Sequence, residues 1–176
     1  VYLSNPNNPM GSVHSAEGIQ AMIRAVPEGC LMVLDEAYTE FAPDHSRPAL
    51  DITDKRVIRF RTFSKAYGMA GARIGYGIAH PDVASAFDRV RNHFGVNRVA
   101  QAGALAALND QDYLAQMLLN VADGRERLVQ IAQENRLAPL PSATNFVTMD
   151  CGRDGAYAQA LLKALDARGV FVRMPG

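Results

Sequence analysis

The chain has 176 residues, 48% of them hydrophobic and 20% charged, and its 18 lysines and arginines balance 18 aspartates and glutamates. That is the composition of a folded globular chain, not of a disordered one. A formally neutral chain without a basic stripe has little long-range attraction for nucleic acid or an anionic membrane, so neither partner is expected. No apolar run is long enough to span a bilayer. The two cysteines, Cys30 and Cys151, are too few and too distant for a disulfide framework or a zinc site. Cys30 opens an apolar run and reads as a small buried thiol. His14, His45, His80 and His93 lack metal-ligand spacing and read as surface or loop residues, so no metal is expected. A reducing cytoplasm is the expected compartment.

Val1–Ser4 predicts a short strand, and Asn5-Pro6-Asn7-Asn8-Pro9-Met10-Gly11 predicts a rigid loop, because its prolines block a helix and its glycine permits a positive φ. Ser15 is placed to cap a helix whose apolar face is Ile19, Met22, Ile23 and Val26, ended by Pro27 and Gly29. Cys30–Leu34 is continuously apolar, as in a parallel strand covered on both faces, and Asp35-Glu36-Ala37-Tyr38 follows its carboxyl end. After a proline-containing loop, Arg56–Phe60 predicts another strand, followed by Thr62-Phe63-Ser64-Lys65, and Arg73–Ala79 predicts a further one. Helices are predicted over Pro81–Asn92, over the alanine-rich Val99–Leu108 and from about Asp112 to Asn135. A second small α/β unit is predicted from the strand Asn145–Asp150, the helix Ala156–Arg168 and the strand Val170–Arg173. Alternating strands and helices define an α/β sheet protein. The expected division is residues 1–110, part of a larger domain, and 111–176, part of a smaller one. The chain opens and closes on strand-like runs, so it is expected to be a segment of a longer protein.

Three apolar runs each end in an unusual polar group: Asn8 after the first, Asp35 and Tyr38 after the second, Lys65 after the third. In open α/β sheets ligands sit beyond the carboxyl ends of the strands, so these groups are expected to face one pocket. Taken singly, a lysine after serine is a solvated residue, an Asp-Glu pair a helix cap and the Asn-Pro repeat a turn. Taken together, a lysine for a Schiff base and a carboxylate for a pyridine nitrogen are the groups a pyridoxal-phosphate (PLP) site requires.

These motifs resemble the fold-type I, class I/II aminotransferases. Ser64-Lys-Ala-Tyr-Gly-Met-Ala-Gly-Ala-Arg-Ile-Gly-Tyr76, Pro141-Ser-Ala-Thr-Asn-Phe-Val147 and Gly169-Val-Phe-Val-Arg173 are similar to the histidinol-phosphate aminotransferase branch. The resemblance implies the PLP-dependent transferase fold, part of the large-domain sheet with part of the smaller C-terminal α/β domain. It implies pyridoxal 5'-phosphate as cofactor, with Lys65 as the lysine that holds it and shuttles the substrate proton. Asp35 would keep the pyridine nitrogen protonated, Tyr38 and Asn8 would bond the cofactor's phenolic oxygen, and Arg73, Ser64 and Thr62 would hold its phosphate. Asn145 and Arg173 would lie nearer the substrate. Met10 stands where the family often has threonine.

The implied activity is amino transfer between an L-amino compound, L-histidinol phosphate first, and a 2-oxo acid, 2-oxoglutarate, in histidine and hence amino-acid biosynthesis. A homodimer is implied as well. An aromatic amino-acid aminotransferase and a PLP-dependent phosphothreonine decarboxylase share the cofactor residues and stay open, as does a catalytically silent binding module on the same scaffold. The family's phosphate-binding turn, ring-stacking aromatic and α-carboxylate arginine have no match in the chain, so the isolated segment is expected to be inactive.

Overall fold

The computed structural model describes residues 1–175. Strands β1 (Tyr2–Ser4), β2 (Met32–Asp35) and β3 (Val57–Thr62) run parallel, side by side, and β4 (Gly75–Ala79) closes the sheet antiparallel to β3, in the order β1-β2-β3-β4. Helix α1 (Ala16–Ala25) crosses from β1 to β2. Ser15 caps it by accepting a hydrogen bond from the Gly18 N–H at 3.1 Å, and Glu17 adds a negative charge to the first turn. Its predicted apolar face holds in part. Ile19 and Val26 are buried and Ile23 packs with Leu3 onto the cluster Val26, Met32 and Val57, whereas Met22 is exposed. The register Tyr2↔Val33 and Met32↔Val57 brings Ser4, Asp35 and Thr62 to one end of the parallel strands.

Cys30 is exposed, contrary to the buried thiol expected of it. β2 begins two residues later, and the Cys30 N–H is spent on the Pro27 carbonyl in the turn that ends α1. The helix predicted over Pro81–Asn92 is a short α2 (Pro81–Ala86) extended by one 3-10 turn, Phe87–Arg89. Its residues are mostly exposed, and a short helix without a buried face has little to stabilise it. Helices α3 (Arg98–Asn109) and α4 (Gln111–Glu134) match their predicted spans closely. Asp110 ends the first and caps the second through the Tyr113 N–H at 3.1 Å. Gly103 of α3 faces Met69, whose Cε would meet an added Cβ at 3.0 Å, so α3 lies close to the turn that follows Lys65.

The second unit is less regular than predicted. Only Met149–Asp150 (β6) of the predicted strand Asn145–Asp150 forms a ladder, antiparallel to Ala138–Pro139 (β5). Upstream, the Ser142 and Thr144 hydroxyls take the backbone's hydrogen bonds at Phe146, which competes with a strand. Helix α5 (Gly155–Asp166) forms as expected. The strand expected at Val170–Arg173 does not form. Gly169, at φ 76°, turns the chain off α5, and the β-prone residues after it are exposed with no partner strand among the described residues.

Candidate active site

Asp35 is the last residue of β2 and is pinned there. The Asn5 N–H donates to its carbonyl at 2.9 Å, and the next residue extends the ladder through a Glu36 N–H to Phe60 carbonyl bond of 2.8 Å. One Asp35 carboxylate oxygen accepts from the Ala37 N–H at 3.0 Å and the other from the Tyr2 hydroxyl of the adjoining strand. That bond, helped by partial burial and the carboxylate's charge, raises the Tyr2 phenol to about 12. Tyr38 follows in the turn beyond β2, its ring buried and its hydroxyl accepting a hydrogen bond from the Asn8 amide at 2.9 Å.

Lys65 sits in a tight turn beyond β3. Gly68 N–H donates to the Lys65 carbonyl at 3.0 Å, and Met69 N–H to the Phe63 carbonyl at 2.9 Å. The Lys65 amine lies over the face of the Tyr38 ring, 5.3 Å from its centroid, within the range of a cation–π contact. Among the described residues it belongs to no ion pair, whereas Lys55 is bound to Asp82. A half-buried amine without a carboxylate is a candidate nucleophile. The Thr62 hydroxyl accepts from the Ser64 N–H at 3.1 Å and so shapes the same turn.

Arg73 has left-handed backbone angles, φ 53° and ψ 48°, which a side-chain-bearing residue adopts at a cost of about 1–2 kcal/mol. Strain of this kind persists where a position is over-determined, often at a functional site. Its exposed guanidinium donates to the Ala70 carbonyl at 2.8 Å. Asn8, Asp35, Tyr38 and Lys65 thus lie at the carboxyl ends of adjoining parallel strands, with Thr62 and Ser64 in the Lys65 turn and Arg73 leading into β4. Asn145 is exposed beside Phe146, and Arg173 is exposed in the irregular segment after α5.

Several residues of this neighbourhood carried no expectation. Glu36 is buried and bridges two arginines of β3: its carboxylate accepts from Arg59 at 2.9 and 2.5 Å and from Arg61 at 2.9 Å. Two arginines at i and i+2 share one face of a strand, and that spacing beside a strand-end glutamate was the available signal. Glu40, one turn further on, has a buried carboxylate oxygen without a hydrogen-bond partner among the described residues, and burial pushes its carboxyl up. Phe146 packs on Tyr38 with ring centroids 5.6 Å apart and planes at 87°. Nothing local in the sequence marks that contact. Among the described residues no group of three potential ligands could hold a metal ion, and no helix is long and apolar enough to cross a membrane.

A lysine, a carboxylate, a phenol and a strained arginine stand around the ends of a parallel sheet, the edge at which open α/β sheets take ligands. The aminotransferase class I and II family model matches residues 1–175, and the chain belongs to that family. It is 42% identical to a histidinol-phosphate aminotransferase of Pseudomonas fluorescens, over 98% of this chain and 47% of that protein. The crystal structure of histidinol-phosphate aminotransferase from Sinorhizobium meliloti in complex with pyridoxal-5'-phosphate matches with a TM-score of 0.98 and 55% identity, over all of this chain and 49% of that one. L-threonine-O-3-phosphate decarboxylase from Porphyromonas gingivalis matches with a TM-score of 0.79 and 26% identity, over 98% of this chain and 53% of that one. The chain spans about half the length of the relatives it matches.

Proposed function

We propose that the protein is a PLP-dependent aminotransferase that moves the amino group of L-histidinol phosphate to 2-oxoglutarate, a step of histidine biosynthesis. The observation that carries this reading is the Lys65 amine over the buried Tyr38 ring, with the Asn8 amide on the same phenol and Asp35 at the neighbouring strand end. The donor set fits the cofactor: an amine without an ion pair among the described residues, an acid for a pyridine nitrogen, a phenol and amide for a ring oxygen, and hydroxyls with a guanidinium for a phosphate. When bound, PLP supplies a ring that accepts the electron pair left by loss of a substrate proton.

The chain's own residues do the rest. Lys65 would hold the cofactor through its amine, and the same amine, when free, would take and return the substrate proton. Asp35 holds a proton on the pyridine nitrogen, with the Ala37 N–H fixing its carboxylate. Tyr38, already accepting from Asn8, has its own hydroxyl proton left to donate to the ring oxygen. Arg73, Ser64 and Thr62 hold the phosphate. Asn145 and Arg173 face the substrate, and residues 1–110 and 111–176 belong to a large and a small domain of a cytoplasmic homodimer.

The higher identity and TM-score to the aminotransferase than to the phosphothreonine decarboxylase support transfer over decarboxylation. The test is kinetic. Wild type should turn over histidinol phosphate in preference to phenylalanine. Arg173→Ala should raise the apparent KM for the phosphate ester about tenfold or more, the worth of a charge-assisted hydrogen bond. Phenylalanine should lose little. Preference for phenylalanine would select the aromatic alternative, release of CO2 from phosphothreonine the decarboxylase, and absence of any cofactor band the silent module.

A further inference from the structure

The segment Pro141–Val147 reaches back across the fold to the candidate site, and its contacts are unusually organised. The Ser142 and Thr144 hydroxyls lie 2.8 Å apart, and both donate to the Phe146 carbonyl, at 2.5 and 3.2 Å. The Phe146 N–H returns a bond to the Thr144 hydroxyl at 3.3 Å, and the Thr144 N–H one to Ser142 at 3.2 Å. Thr144 is fully buried, and Arg125 of α4 donates to its carbonyl at 2.8 Å. The knot is therefore tied to the long helix on one side.

On the other side it is tied to the loop that carries Asn8. The Ala143 N–H donates to the Gly11 carbonyl at 2.8 Å, and the Thr148 hydroxyl to the Pro9 carbonyl at 2.5 Å. Gly11, at φ 77°, leaves room for Ser142, whose Oγ would lie 2.7 Å from any Cβ there. Phe146 is the only aromatic in this stretch, and its ring meets Tyr38 in a T-shaped contact. The Tyr38 ring is thus held at its hydroxyl by Asn8 and against its body by Phe146, and it carries the Lys65 amine on its face.

We propose that Phe146 is a positioning residue for the amino-transfer reaction: presented by the Ser142–Thr144 hydroxyl knot, it fixes the Tyr38 ring and through it the Lys65 amine. An edge-to-face aromatic pair favours one mutual orientation, which an aliphatic side chain of similar volume does not impose. Leu114, Leu118 and Val121 of α4 pack on the same cluster and supply bulk without that orientation. Because Arg125 and the knot join α4 to the Asn8 loop, a shift of the second unit against the first would be felt at Tyr38 and Lys65 together.

This inference rests on the reading of Lys65 as the cofactor lysine, but its test does not need the cofactor. Lys65 is one of three lysines in the chain, with Lys55 and Lys163 as internal references. The cofactor-free protein is labelled briefly with acetic anhydride, and the three lysines are quantified by peptide mass spectrometry. Phe146→Leu should raise Lys65 labelling relative to Lys55 and Lys163 by about two- to fivefold, the effect of loosening a partly exposed cation–π contact. Leu118→Ala, which removes bulk from the same cluster, should leave the ratio unchanged, and Phe146→Tyr should restore it. In the holoenzyme Phe146→Leu should lower kcat more than it changes KM. Should Phe146→Leu fail to fold, Thr144→Val loosens the knot with both rings kept and should move the ratio in the same direction. An unchanged ratio, or an equal change in Leu118→Ala, would overturn the proposal. Loss of the labelling change would refute the positioning role. A normal labelling change without a cofactor band would instead refute the reading of function.

Discussion

Replacing Glu36 by glutamine should destabilise the protein by about 3–5 kcal/mol, the usual cost of leaving a buried charge without its partner. The side chains of Glu36 and Arg59 are 3% and 5% exposed, so neither charge can recover its hydration where it stands. Glutamine keeps the shape and still offers an oxygen to Arg59, but it turns an N–H donor toward the Arg61 Nε–H, which now binds the carboxylate at 2.9 Å. Arg59 would keep only neutral acceptors, the glutamine oxygen and the Ala49 and Pro48 carbonyls at 3.1 and 3.2 Å, with no opposite charge. Arg59→Met should cost less, because Glu36 keeps Arg61, whose side chain is 25% exposed. The double variant should cost less than the sum of the singles by about 1–3 kcal/mol, since no buried charge is then left alone. Urea unfolding of the cofactor-free protein, followed by far-UV circular dichroism, measures all four corners of the cycle. A Glu36→Gln variant within about 0.5 kcal/mol of wild type, or strict additivity, would show that the bridge is not held in a low-polarity setting.

Asp35→Asn should retain cofactor and lose about ten- to a hundredfold in turnover, as one charge-assisted hydrogen bond is worth about 1.5–3 kcal/mol. The same variant should let the Tyr2 phenol fall from about 12 toward the ordinary 10.0, read by ultraviolet titration, because its charged acceptor is gone. Glu40 gives a prediction of opposite sign to the usual acid. Burial raises its carboxyl above 4.5, so the folded state holds the proton more tightly than the unfolded one. The stability this contributes is complete below pH 4.5 and is lost as pH rises through the folded value. Wild type should therefore lose stability against Glu40→Gln between pH 4.5 and neutrality, in thermal melts across that range; a gain would contradict the burial of Glu40.

Strand ends were legible in the sequence because each parallel strand contains a short apolar run, although β1 has no fully buried residue and β2 is fully buried on one face only, and the residues just beyond such runs lie at one edge of the sheet. Asn8, Asp35, Tyr38 and Lys65 could be placed together on that ground alone. The bridging role of Glu36 was harder to read, since it depends on which face of β3 Arg59 and Arg61 occupy. Phe146 was beyond reach, because its contact with Tyr38 depends on how a hydroxyl-knotted turn is delivered by a distant helix. The runs Asn145–Asp150 and Val170–Arg173 have β propensity, but a strand also requires a free backbone and a neighbour. Hydroxyl competition removes the first condition at Phe146, and the segment after Gly169 lacks the second among the described residues.

The claim on which the proposed function depends is that Lys65 holds the cofactor. Borohydride reduction of the holoenzyme, followed by proteolysis and mass spectrometry, fixes the bound group to its lysine. The cofactor mass should appear on the peptide spanning Ser64-Lys65-Ala66 and be lost in Lys65→Ala. The same mass on Lys55, Lys163 or any other lysine, with Lys65 unmodified, would contradict it.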